Sequence, residues 1–583
     1  MDAYTVRQQL INQILDSCIQ LGVLEFVIAP GSRSAPLVTA LAQRSELRLR
    51  IVVDERAAGY VALGIAQQLR RPVGLICTSG TAALNFAPAV TEAFYQRIPL
   101  LVLTADRPPE WIDQQDNQAI HQPRLYEPHV LASFELPTDV AHPDAQWQAL
   151  RMVTQAIGLA TTPVMGPVHI NVPLREPIYP ATQLPAPQPA VRTIQTLPMA
   201  QRLAPAAWDE LRTIWRQAER KLIIAGMHPP DSRLVATLQK LANDPTVAVI
   251  ADVTANLFPG GTPIVHGDMI WGSQDAPTQA RLAPDLVVSF GGQVVSKYWK
   301  TVLRKNPPKW LWQLWIDDVA PDPFQALTHT IPMEAADFFD GIAFLVPKTQ
   351  TQAVRATSNY ADDWKALEAK AQQKLTQFVE TADFGEFKAV AAVMAALPTA
   401  SHLQLGNSMA IRYANFIGWL PNMGETQVNS NRGTSGIDGT VSTAVGAALT
   451  TQKITTLIVG DLAFFYDRNG LWQANLPPNL RIVLLNNHGG GIFDIIEGPN
   501  KLDRAVQERF FLTPQPLTAR RTAEDHGLDY FFADNEQTLQ AALPEFFANR
   551  PRTAILEIET QMDTNTQVFA EFRTLVQNLR LGD

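Results

Sequence analysis

The sequence predicts an α/β protein of three domains, each with a mainly parallel sheet flanked by helices. Apolar, β-branched runs alternate with helix-length segments along most of the 583 residues, the order that crossover helices impose on parallel strands. Polar and glycine residues gather where those runs stop, which is the ligand-binding edge of an open α/β sheet. The length allows three or four domains at roughly 150–200 residues each.

Taken in order, Tyr4 to Leu21 has helical apolar spacing, and Glu25 to Ala29 is a short strand ending in Pro30-Gly31-Ser32-Arg33. Arg50 to Val53 reads as a strand ending at Asp54-Glu55, Val73 to Cys77 as one ending at Thr78-Ser79-Gly80-Thr81, and Leu100 to Thr104 as one ending at Ala105-Asp106-Arg107. These elements define a first domain at 1–180. Tyr179 to Pro198 is proline-rich without apolar periodicity and reads as an extended connector, so a linker is placed at 181–204. Leu222 to Ala225, Val247 to Ile250, Leu286 to Ser289 and Trp310 to Ile316 are the strands of a central α/β domain at 205–350. Gly291-Gly292 follows one of them without a G-x-G-x-x-G pattern and is read as scaffold. Thr349 to Asp363 is polar and, with the helical stretch Trp364 to Thr381, makes a linker and connecting helix at 351–383. The last domain is placed at 384–583.

Within that domain, Ile454 to Val459 stops at Gly460-Asp461, a helix-length segment follows, and Ile482 to Leu485 stops at Asn486-Asn487 and three glycines. The pattern predicts strand, loop, helix, strand, loop, with both loops at the carboxyl ends of neighbouring parallel strands. Either polar pair alone is ordinary turn chemistry. Together they bring a carboxylate, an amide oxygen and a glycine-freed carbonyl to one edge, a donor set suited to a hard cation such as Mg²⁺. Gly489 to Gly491 would also let the backbone approach a pyrophosphate. Val73 to Asp106 repeats the layout of this stretch, as duplicated copies of one fold would.

Composition narrows the function class. A net charge of −9 with no long basic run argues against nucleic acid or an anionic membrane as partner. Cys18 and Cys77 both lie in apolar segments, as core thiols of a reducing compartment do. MDAYTVRQQL has neither a basic region nor an apolar core of a leader, and no apolar run approaches a membrane span. A cytoplasmic enzyme is the expectation.

Glu55 precedes the helix-forming run RAAGYVALGIAQQL, where an acid is favourable to the helix dipole. Arg33, Arg107, Arg412 and Arg432 fall in loops or at strand ends near these motifs, and Lys297 comes from the central domain. Five such cations point to substrates carrying several carboxylates, which guanidinium groups bind bidentately.

The pairing of GD (Gly460-Asp461) with NN (Asn486-Asn487) resembles the thiamine diphosphate-dependent enzymes. Ser32-Arg33, Asp54-Glu55, TADRPPE, DNQAIHQ, GNS, SNRGTSGIDG, GDLAFFYD and NNHGGGIF together resemble one family among them, the 2-succinyl-5-enolpyruvyl-6-hydroxy-3-cyclohexene-1-carboxylate synthases of menaquinone and phylloquinone biosynthesis. The likeness spans the first and last domains and, more thinly, the central one. It implies the thiamine diphosphate-binding fold, with pyrimidine-binding, central and pyrophosphate-binding domains in that order. It also implies active sites at subunit interfaces of a homodimer or homotetramer.

The same resemblance implies the roles of single residues. Asp461, Asn487 and the carbonyl of Gly489 would bind Mg²⁺, which Mn²⁺ can replace. Glu55 would meet the cofactor's aminopyrimidine and favour the imino tautomer that activates the thiazolium carbon. Ile437 would prop the cofactor in its bent form, Leu462 would contact it, and Ile492 and Phe493 would line its thiazolium side. Ser408 and Arg412 would hold the succinyl end of 2-oxoglutarate. Ser32, Arg33, Arg107, Asn117, Gln118, Lys297 and Arg432 would surround the reacting carboxylates and isochorismate. Tyr298 stands where some relatives have a second cation, and His488 replaces an asparagine and is read as a loop neighbour. The implied reaction is decarboxylation of 2-oxoglutarate and conjugate addition to isochorismate. The alternatives are an acetolactate-type carboligase, a plain 2-oxoglutarate decarboxylase and a catalytically silent nucleotide-binding or regulatory protein.

Overall fold

The computed structural model describes residues 3–176, 178–179, 191–197, 202–258, 263–273, 275–317, 319–345, 359–496 and 498–581. Its strands form three sheets. The first contains β1 (Glu25–Ile28), β2 (Arg48–Ile51), β3 (Val73–Cys77), β4 (Leu100–Asp106), β5 (Ser133–Glu135) and β6 (Val168–Pro173), in the order β2-β1-β3-β4-β6-β5. The second contains β7 (Lys221–Ala225), β8 (Val247–Ala251), β9 (Leu286–Phe290), β10 (Trp310–Leu314) and β11 (His329–Ile331), in the order β11-β10-β9-β7-β8. The third contains β12 (His402–Leu405), β13 (Gln427–Ser430), β14 (Thr455–Gly460), β15 (Leu480–Asn486), β16 (Asp529–Ala533) and β17 (Ala554–Glu559), in the order β13-β12-β14-β15-β17-β16.

The pairings are parallel. Central strands such as β3, β7 and β9 are buried along their whole length, because helices cover both faces of a parallel sheet and leave no polar side for alternation. The first and third sheets share one strand order. The two stretches with the repeated layout supply β3 and β4 in one and β14 and β15 in the other, at the same positions of that order.

The chain divides into two compact units, one of residues 1–199, 431–452 and 463–480 and the other of 200–430, 453–462 and 481–583. In the first unit a core of Leu15, Phe26, Leu37, Leu101, Val153 and Ile170 lies under the first sheet. There the helix Glu55–Leu69 crosses the helix Thr440–Ala448 at glycines on both sides. A Cβ at Gly64 would strike the Thr443 carbonyl, and one at Gly446 the Val61 carbonyl. The largest core of the second unit joins Val287 and Leu311 of the central sheet to Leu403, Val483 and Leu556 of the third. Trp364, Leu367 and Leu375 of the helix Tyr360–Thr381 belong to the same core.

Several boundaries move from their expected places. β2 begins and ends two residues before the expected Arg50–Val53, because Asp54 caps the next helix, accepting Ala57 N–H at 3.0 Å, and Val52 and Val53 lead into that cap. No loop separates β14 from its helix, since Asp461 is the first residue of the helix Asp461–Asp467. Tyr360 to Asp363, expected in a polar linker, form the first turn of the long helix, where Asp362 and Asp363 suit the dipole. Residues 180–190, 198–201 and 349–358 of the expected linkers lie outside the described residues, and 191–197 form neither helix nor strand. Gly291 adopts φ +81°, and a Cβ there would meet the carbonyls of Gly226 and Met227 at 2.9 Å. The freedom of this glycine is thus used by the chain's own backbone.

Candidate cofactor and substrate site

In the second unit the neighbouring strands β14 and β15 end at Gly460 and Asn486, and Asp461 and Asn487 follow them directly. Asp461 is 2 % exposed. One of its oxygens accepts the N–H of Leu462 at 2.8 Å and the other the Gln515 amide at 2.6 Å. Burial pushes the Asp461 carboxyl up from its ordinary range, and those hydrogen bonds oppose the shift. The Asn487 amide nitrogen donates to Glu386 at 2.8 Å, which turns its oxygen the other way, towards the Gly489 N–H at 3.1 Å. Glu386 is buried and pushed up to about 7, first by desolvation and then by the nearby charge of Asp461.

The set of carboxylate, amide oxygen and loop carbonyl fits a hard divalent cation, which takes oxygen ligands. Among the described residues no group of three or more His, Cys, Asp or Glu side chains offers another metal site. At Gly460 a Cβ would find nothing within 4 Å, so open space lies beside Asp461. The following glycines also serve internal packing, since a Cβ on Gly489 or Gly490 would meet the carbonyls of Leu512 and Phe511 at 2.7 and 2.8 Å. Ile492 and Phe493 open the helix Ile492–Ile495, and Phe493 packs edge-on against Phe511. His488 adopts φ 61° and bonds to Asn486 Oδ1 and the Gln515 carbonyl.

Ser408 caps the helix Met409–Ile417 with φ 72° and ψ −126°, a region that costs a non-glycine residue about 1–3 kcal/mol and persists only where the surrounding structure holds it. Its carbonyl accepts the Arg412 guanidinium one turn later. Burial lowers the Arg412 pKa, and Asp268 opposes that shift. Asp268 is itself pushed up to about 6 by burial and receives the Asn415 amide at 3.0 Å. Lys297 is exposed and opens the helix Lys297–Lys305. Burial raises the pKa of the next residue, Tyr298, and the nearby charge of Arg573 opposes the shift.

In the first unit, Ser32, Arg33, Glu55, Arg107, Asn117 and Gln118 follow the carboxyl ends of β1, β2 and β4. Glu55 is half-buried and begins its helix. Arg33 is 4 % exposed, donates to the Leu174 carbonyl at 3.0 Å and pairs with Glu176 at 3.1 Å. Burial, and then the positive charge of Arg107, lower its pKa. Arg107 pairs with Asp116 at 3.0 Å and donates twice to the Asn117 carbonyl. Ser32, Asn117 and Gln118 are exposed, and Gln118 Oε1 lies 3.4 Å from the Thr81 N–H. Arg432 is buried, and Ile437 on the following loop is 40 % exposed despite its apolar side chain.

Three participants were not singled out as site residues from sequence. Gln515 donates to both Asp461 and Asn486, and its local signal is only its Pro514-Gln515-Pro516 setting. Glu386 orients Asn487 from a hundred residues upstream with no motif around it. Gln122, inside DNQAIHQ, bridges Gly80 N–H, the Ala105 carbonyl and Asn171.

Comparison with known proteins follows the same geography. The thiamine pyrophosphate enzyme N-terminal TPP binding domain matches residues 8–125, and the corresponding C-terminal TPP binding domain matches residues 412–558. A 2-succinyl-5-enolpyruvyl-6-hydroxy-3-cyclohexene-1-carboxylate synthase of Cytophaga hutchinsonii is 40% identical over 577 residues, covering 98% of this chain and 100% of that protein. The synthase of the same name from Desulfotalea psychrophila is 38% identical over 90% of this chain and 93% of its own length. That of Flavobacterium johnsoniae is 36% identical over 97% of this chain and 98% of its own. With this likeness running through both units, the chain belongs to the thiamine diphosphate-dependent 2-succinyl-5-enolpyruvyl-6-hydroxy-3-cyclohexene-1-carboxylate synthase family.

Proposed function

We propose that the chain decarboxylates 2-oxoglutarate and adds the resulting succinyl unit in conjugate (1,4) fashion to isochorismate, giving 2-succinyl-5-enolpyruvyl-6-hydroxy-3-cyclohexene-1-carboxylate and CO₂. One observation carries the reading: Asp461 and Asn487 directly follow neighbouring strands in a chain that matches synthases of this name over nearly its whole length. An acetolactate-type ligase is not favoured by those relatives or by the cations around the motifs. When bound, thiamine diphosphate supplies an electron sink that neither substrate has.

The residues divide the remaining work. Asp461, Asn487 and the Gly489 carbonyl hold Mg²⁺, or Mn²⁺ in its place, and Glu386 keeps the Asn487 oxygen turned to the ion. Glu55 holds a proton at the ring nitrogen of the aminopyrimidine. Ile437, Leu462, Ile492 and Phe493 supply the apolar contacts of the cofactor. Ser408 and Arg412 receive the distal carboxylate of 2-oxoglutarate, where burial strengthens the guanidinium pairing. Ser32, Arg33, Arg107, Asn117, Gln118, Lys297 and Arg432 orient the reacting carboxylates and isochorismate. Water must be excluded, because protonation in place of addition would release succinic semialdehyde.

The working form is a cytoplasmic homo-oligomer whose active sites are shared between subunits, in quinone biosynthesis. No described helix is long and apolar enough to cross a membrane. The test is an assay with thiamine diphosphate, Mg²⁺, 2-oxoglutarate and fresh isochorismate, following isochorismate loss and product mass. Consumption that requires all four components supports the reading. Turnover of 2-oxoglutarate to the semialdehyde at the same rate without isochorismate would replace it with a plain decarboxylase.

A further inference from the structure

Glu92 lies on the helix Ala87–Gln96 and has no part in the roles above. Its side chain is 1 % exposed, yet its carboxylate is fully occupied by donors. Oε1 accepts the N–H of Gly433 at 2.7 Å and Oε2 the N–H of Thr434 at 2.7 Å. The Thr434 hydroxyl also donates to Oε2, and the Gln96 amide to Oε1. Gln67 in turn donates to Gln96 at 3.1 Å, which holds that amide in place.

One carboxylate thus grips two successive peptide N–H groups immediately after Arg432. The approach is close enough that a Cβ on Gly433 would stand 2.8 Å from the Glu92 carbonyl and 3.0 Å from the Tyr95 Cβ. The far end of the same loop is held too. Tyr60 donates its hydroxyl to Asp438, and Gly439, at φ +72°, lies where any side chain would enter the Tyr60 ring. Between the two anchors stands Ile437, exposed on a loop that is otherwise tied down.

We infer that Glu92 is a positioning residue. Its carboxylate sets the peptide at 433–434, and with Tyr60 at the other end it fixes where Arg432 and Ile437 are presented. Ionised acceptors bind N–H groups about twice as strongly as neutral ones, so a buried carboxylate suits a loop that must not drift. The inference rests on the proposed roles of Arg432 towards isochorismate and of Ile437 towards the cofactor.

The test compares Glu92→Gln, Thr434→Val and Arg432→Ala in the full-length protein. The readouts are the KM of each substrate, thiamine diphosphate binding by tryptophan quenching with Mg²⁺, and the melting temperature of the cofactor-free chain. Glu92→Gln puts an NH₂ against a peptide N–H and should raise the isochorismate KM about tenfold and weaken cofactor binding, the loss expected when a buried charge-assisted bond is broken. The KM for 2-oxoglutarate should rise less than that for isochorismate, since Ser408 and Arg412, which hold its distal carboxylate, lie outside this clamp. Thr434→Val removes one donor and should move the same quantities in the same direction by about two- to fivefold, which keeps the test decisive if Glu92→Gln fails to fold. If Arg432→Ala raises the isochorismate KM while Thr434→Val and any folded Glu92→Gln protein change only the melting temperature, the clamp is structural and the inference is overturned while the reading of Arg432 stands. If Arg432→Ala leaves that KM unchanged, the reading of Arg432 falls and the inference with it.

Discussion

At Asp461 two opposed effects meet in one side chain. Burial favours the protonated carboxyl, while the Leu462 N–H and the Gln515 amide favour the charge. A divalent cation would be the largest charge in the neighbourhood and would hold the group ionised. Asp461→Ala should therefore abolish Mg²⁺-dependent binding of thiamine diphosphate in titration calorimetry, and unchanged affinity would remove Asp461 from the metal site. Glu55→Gln should cut turnover on the order of 10²–10⁴-fold, the usual worth of a positioned proton-transfer group, with an unaltered circular dichroism spectrum. Near-normal rates would take Glu55 out of the mechanism. The strand ends beside Asp461 and Asn487 and the helix start at Glu55 were legible, because each sits in a short run whose neighbours announce such a boundary. Gln515, Glu386 and Glu92 were not, because each meets its partner across 50 or more residues of chain and its own surroundings carry no pattern.

Among the elements, β6 carries a buried histidine and two helices depend on bare glycines. His169 sits between Thr104 and Ser133, and burial lowers its pKa from 6.5 to about 3. The fold thus favours the neutral ring. Its contribution is present above pH 6.5 and is lost as the pH falls from there towards 3. The melting temperature should drop over that window less steeply in His169→Gln than in the parent, and equal slopes would show that His169 is not a source of the acid sensitivity. Gly64→Ala should destabilise the chain by about 1–3 kcal/mol, as overpacking does, because its methyl would enter the Thr443 carbonyl. Thermal melting that matches the parent would mean the helices separate freely. Strands such as Val73–Cys77 and, to within one residue, Leu286–Phe290 were readable from their mostly apolar runs. β5, β6, β11, β12, β13, β16 and β17 were missed; of these β5, β11, β13 and β16 are short, partly polar edge strands whose parallel partners, and not their own composition, hold them in the sheet.

Over the whole molecule, the repeated strand order of the first and third sheets places strand ends of one kind at both. One of these edges carries Glu55 and the other Asp461 and Asn487. The parallel α/β class was evident from periodicity, and the repeat from the layout of Val73 to Asp106. The shared order itself was not, since it depends on β5, β6, β16 and β17, which carry no motif. The central claim is that decarboxylation is tied to carbon–carbon bond formation. The most direct measurement is the CO₂ released from labelled 2-oxoglutarate per isochorismate consumed. One CO₂ for each isochorismate, with release nearly stopped when isochorismate is left out, is the predicted result. CO₂ release at an undiminished rate without isochorismate, or isochorismate left unconsumed while CO₂ appears, would contradict it.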